Sequence, residues 1–95
     1  MDPEEVARVC DDLHECIEQG PGENPDVFAR ALGALLTLRE SVSWDYPLGL
    51  LMEIEVQLAR WFSPRGFSAD EQQRCREALL GDISRLEDAW NRPRV

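Results

Sequence analysis

Lysine is absent from the 95-residue sequence, and bases of any kind are scarce. Ten arginines and one histidine stand against nineteen acids, a net charge of −9 at neutral pH. Binding to a nucleic-acid backbone works by neutralising phosphates with basic side chains, so direct nucleic-acid contact is not expected. Anionic membrane surfaces are disfavoured for the same reason. Long apolar runs are missing too: nothing approaches the roughly 18 residues of a membrane span. The opening Met1-Asp2-Pro3-Glu4-Glu5 lacks the basic and apolar segments of a signal peptide. Cysteine is confined to Cys10, Cys16 and Cys75, an odd number without a CxxC pair. These features argue against a disulfide framework and lead to the expectation of a cytoplasmic protein with buried, reduced thiols.

What is present suits a helical core. Hydrophobic residues make up 43% of the chain, and no segment sustains the alternation of a strand. Asp2, Pro3 and Glu5 form a helix start of cap, first-position proline and acidic third position. Val6, Val9, Cys10, Leu13, Cys16 and Ile17 then recur at helical spacing until Gly20-Pro21-Gly22 breaks the run. Asn24-Pro25-Asp26 opens a second helix by the same chemistry. A third begins near Asp45-Tyr46-Pro47 and stops at Ser63-Pro64-Arg65-Gly66, and the capping box Ser68-Ala69-Asp70-Glu71 starts a fourth. The predicted helices span about 3–19, 25–39, 46–62 and 69–91. Short breaks between them suit antiparallel neighbours. The expected architecture is all-α, a compact antiparallel four-helix bundle forming one domain over residues 1–95.

The negative charge is not spread evenly. Residues 1–26 carry nine acids and one base, a net −8, while the remaining 69 residues carry ten acids and nine bases. On a helical wheel, Glu4, Asp11, Glu15 and Glu18 fall on one side of the first helix with Glu5 and Asp12 flanking them, opposite Val6, Val9, Leu13 and Ile17. This face is either plain solvated surface or a docking face that steers a basic protein partner. The second and third helices are apolar over more than half of their circumference. They are read as a central hairpin flanked by the other two; the alternative is a surface that meets a second copy, giving a homodimer through helices two and three, or a partner. Glu55 falls inside the apolar arc of the third helix. If buried, it requires an arginine, with Arg30, Arg39 and Arg76 the candidates.

The connector Ser43-Trp44-Asp45-Tyr46-Pro47 places two aromatics beside an acid at a helix start, a composition favoured at binding hot spots. This five-residue stretch resembles the Tyr-Pro recognition turn of the small acidic four-helix immunity proteins that block colicin-type nucleases. Those proteins have a short third helix, whereas the one here reads as long. The resemblance implies a helical bundle that inhibits a toxin domain, with Trp44, Asp45 and Tyr46 as binding residues.

Catalytic patterns are absent. His14 follows Cys10 by one turn, but this spacing alone makes neither a zinc site nor a nucleophile pair. The acids of the first helix lack the E-x-x-H pattern of di-iron bundles. Gly20-Pro21-Gly22 is no phosphate loop. The expectation is a non-enzymatic, cofactor-free, metal-free binding protein of inhibitor or immunity type. Its partner-binding residues would be Asp11, Asp12, Glu15, Glu18, Trp44, Asp45 and Tyr46, and its partner a basic protein such as a bacterial toxin domain. A helical adaptor or homodimeric structural subunit is the alternative.

Overall fold

The computed structural model describes residues 2–42 and 45–91. Four helices follow in chain order: α1 (Pro3–Glu18), α2 (Pro25–Glu40), α3 (Asp45–Trp61) and α4 (Ala69–Asn91). The fold is an all-α four-helix bundle, with no strand among the described residues. No helix among them is long and apolar enough to cross a membrane.

The helix starts are made by the side chains that the sequence offers for them. Asp2 accepts a hydrogen bond from the Glu5 amide at 2.9 Å, which holds its carboxyl below the ordinary range. Asn24 caps α2 through the Val27 amide. Ser68 accepts from the Glu71 amide, capping α4, and donates its hydroxyl to the Glu71 carboxylate. Each cap supplies a partner to an amide that would otherwise lack one at a helix start.

Contacts between helices define a closed ring. α1 packs on α2 and α4, and α3 packs on α2 and α4. Register contacts give the directions. Arg30 of α2 reaches Asp12 and Glu15, Arg76 of α4 reaches Glu18, and the Cys75 thiol of α4 lies 3.6 Å from the Gln57 carbonyl of α3. Glu87, near the end of α4, lies by Cys10, in the first half of α1. Low numbers on one helix thus meet high numbers on its neighbour, so the helices run alternately up and down. The core inside the ring includes Leu13, Ile17, Leu38, Ile54, Leu58, Leu79, Ile83 and Leu86, all fully buried.

The expected central hairpin of helices two and three is not what forms. The most extensive interface joins α3 to α4, and the slightest joins α2 to α3. α2 packs more extensively on α1 than on α3, and part of its apolar arc, including Leu36, points away from the ring.

At one end of the bundle, Trp61 fastens three segments together. Its indole N–H donates to the Ile17 carbonyl at 3.0 Å, and its own carbonyl accepts from the Gly22 amide at 2.9 Å. Gly20 passes so close to the indole that a Cβ would overlap the ring nitrogen. Gly22 has a φ of +120°, in the region that favours glycine. Phe28, Phe62 and Phe67 close this end, with Phe28–Phe62 centroids 5.8 Å apart. Trp61→Phe keeps most of the packing and removes the donor. It is expected to lower unfolding free energy by about 1–2 kcal/mol. Gly20→Ala is expected to destabilise as well, through the overlap with the indole. Urea denaturation followed by circular dichroism checks both, and unchanged midpoints would contradict the role assigned to Trp61.

Candidate functional site

The four acids expected to bind a partner through the first helix do lie on the outer side of α1, but three of them already have partners. Arg30 pairs with Asp12 and, at 3.2 Å, with Glu15, while Arg76 pairs with Glu18. Asp11 has no ion-pair partner among the described residues. All of these pairs are well exposed to solvent, where a salt bridge contributes at most about 1 kcal/mol. They brace α1 against both neighbours without neutralising it. Seven acids from Asp2 to Glu18 face three arginines, Arg8, Arg30 and Arg76, so a surplus of four negative charges remains.

The aromatic turn lies elsewhere. Ser43 and Trp44 fall outside the described residues. Asp45 and Tyr46 are exposed at the start of α3, at the bundle end where α1 also begins. Glu18 is 16 residues from the Asp2 cap, which is about 24 Å along the axis. α1 and α3 are also diagonal in the ring. Asp11, Asp12, Glu15 and Glu18 therefore form one patch, and Asp45 with Tyr46 forms another. Glu4 and Glu5 are the α1 acids at the level of the turn.

A third surface lies between α2 and α3. Leu32, Leu35, Leu36 and Arg39 on α2, with Leu48, Leu51, Met52 and Glu55 on α3, line a groove of about 300 Å³. Leu36 is 56% exposed and Met52 64%, and Val56, one turn further along α3, is 59% exposed. These are among the few large apolar side chains that the fold leaves in water. Glu55 is exposed at this groove. The pairing with an arginine that burial would require does not arise: Arg30 and Arg76 serve the acids of α1, and Arg39 lines the same open groove.

The buried acid is a different one. Asp82 is 2% exposed at the α3–α4 seam, with one oxygen 2.7 Å from Arg85 and the other without a hydrogen-bond partner. Burial raises its pKa, and Glu53 on the facing helix raises it further, against the opposing pull of Arg85. Sequence reasoning missed it, although Asp82 follows Leu79 by three residues and precedes Leu86 by four, a spacing that places it beside the apolar stripe.

The thiols are shielded. Cys10 is fully buried, and burial together with nearby Glu87 pushes its pKa up to about 12. Burial raises Cys16 and Cys75 as well. A thiol so disposed is a poor nucleophile at neutral pH, because the reactive form is the thiolate. Among the described residues, no three His, Cys, Asp or Glu side chains are grouped to hold a metal ion.

Comparison with protein-family models, with curated proteins and with solved structures finds no match. The chemistry of the surfaces therefore carries the functional argument.

Asp82 provides a pH test of this packing. Because its folded pKa lies above the unfolded value near 3.8, the charged carboxylate destabilises the fold at neutral pH. That penalty fades as pH falls through the raised value and disappears below the unfolded one. Asp82→Asn is expected to be more stable than the parent by about 1 kcal/mol at pH 7, with the difference shrinking as the pH approaches 4. Chemical denaturation at several pH values measures it, and a variant less stable at pH 7 would reverse the assignment.

Proposed function

We propose that this chain is a small non-catalytic binding protein that neutralises a basic protein partner, in the manner of an inhibitor or immunity protein acting on a toxin domain. One observation carries the reading: the outer side of α1 keeps a surplus of four negative charges when Arg8 and the neighbouring Arg30 and Arg76 are counted against its seven acids. A helix needs an apolar face to fold, and Val6, Cys10, Leu13, Cys16 and Ile17 supply it. Folding does not call for so many carboxylates on the other face. Like charges crowded on one helix oppose its formation by a few tenths of a kcal/mol per pair, and a basic partner relieves that repulsion.

The arrangement also separates steering from holding. Exposed carboxylates raise the rate of encounter with a basic surface, while tight binding needs a partly apolar centre. The Asp45-Tyr46-Pro47 segment supports the same reading through its likeness to the recognition turn of the four-helix immunity proteins. Its α3 of 17 residues departs from their short third helix. Encounter along α1 and contact through the exposed Tyr46 at the bundle end would engage two separate regions of one partner.

The test is capture from native lysate on immobilised protein, with mass spectrometry of what is retained. A basic protein should be captured at about 0.05 M salt and lost toward about 0.5 M, where screening is strong. The double variant Asp11→Asn, Glu15→Gln should slow its association several-fold and leave dissociation nearly unchanged. Capture insensitive to both salt and the double variant would refute a role for the acidic face.

A further inference from the structure

We infer that the α2–α3 face is a self-association surface, whose occupant is a second copy of this chain. The inference is independent of the reading of α1, since it concerns the opposite side of the ring. The face joins exposed Leu36 of α2 to exposed Met52 and Val56 of α3 across the groove floored by Leu35 and Leu51.

Charge selects the occupant. The protein as a whole carries −9, so a foreign basic segment would be drawn to the acidic α1. The groove itself is balanced, with one positive rim residue, Arg39, on α2 and one negative, Glu55, on α3. The two are offset along the bundle. α2 and α3 run antiparallel through a short connector, which brings Arg39 to the level of Leu48, seven residues or about 10 Å from Glu55. No ion pair joins them within the chain. A two-fold axis lying across both helices near Leu36 and Met52 inverts that offset. It brings Arg39 of each copy level with Glu55 of the other, forming the same contact twice, as an isologous interface requires. The apolar side chains then close on their own counterparts.

Two further features agree. The α2–α3 edge of the ring lies opposite the α1–α4 edge, so pairing through it keeps the acidic helices of the two copies on the outside. A face two helices wide and 16 residues long presents a footprint of about 450–500 Å² per copy, or about 1,000 Å² in all, at the lower end of specific interfaces. The expected dimer is accordingly one of moderate affinity, dissociating on dilution.

Sedimentation velocity over a dilution series from about 200 µM to about 1 µM should show twice the chain mass at the top and a monomer at the bottom. Met52→Glu should weaken association at least tenfold while the far-ultraviolet circular dichroism stays helical. Glu55→Arg alone should weaken it several-fold, and the double variant Arg39→Glu, Glu55→Arg should recover it, because the swap restores both cross-copy pairs. Raising the salt should weaken the dimer far less than it weakens capture of a basic partner, because the apolar contacts are not screened. A monomer at every concentration overturns the inference, as does a dimer indifferent to Met52→Glu in its folded form. Failure of the double variant to recover overturns the two-fold register. A monomer that loses capture of some other protein on Met52→Glu would give the groove to a foreign partner and overturn self-association.

Discussion

The bundle depends on the contact between Trp61 and the end of α1. An indole N–H given to the Ile17 carbonyl, and a backbone carbonyl that accepts from Gly22, tie the close of the first helix, the turn after it and the close of the third. These segments belong to helices that are diagonal in the ring. Without such a tie, four amphipathic helices can satisfy their apolar faces in more than one order and register, since hydrophobic burial has no direction. A buried hydrogen bond does have direction. With α1 and α3 set against each other, α2 and α4 each pack on both.

This packing determines where polar groups end up. Arg30 and Arg76 come from the two neighbours of α1 and reach its acids from either side. The first helix is thus held as a charged strip between two cationic anchors. The strip stays negative and in water, while the apolar excess of α2 and α3 faces the other way. Two surfaces of different character result, one polar and long-ranged in its effect, the other apolar and effective only on contact. Screening by salt weakens the first and leaves the second.

Much of this was legible in the residues. The caps at Asp2, Asn24 and Ser68 act within one turn, so their chemistry is local and reads directly from sequence. The ends of α1 and α3 followed closely from the Gly/Pro breaks at Gly20-Pro21-Gly22 and Ser63-Pro64-Arg65-Gly66. The acidic side of α1 was equally plain from the wheel. What remained hidden depends on contacts between distant segments. Glu55 and Asp82 sit in similar apolar spacings, yet one faces an open groove and the other the most extensive interface. No local pattern distinguishes them, because burial is decided by which helix covers that side. The partners of Asp12 and Glu18 lie 18 and 58 residues away, so they too wait on register. The aromatic turn and the acidic face are both visible in the sequence, but their separation along the bundle is a property of the ring.

The slight packing of α2 on α3 carries a dynamic consequence. Regions with few buried apolar contacts open at lower free energy than the molecule as a whole. α2 is joined to α1 at its outer edge by the exposed ion pairs of Arg30, and to α3 by the thinnest seam of the ring. It is the helix that would swing away first, leaving α1, α3 and α4 still tied by Trp61 and the α1–α4 contact. Its amides would then exchange with solvent through a sub-global opening, while those of α3 and α4 wait for the whole chain to unfold.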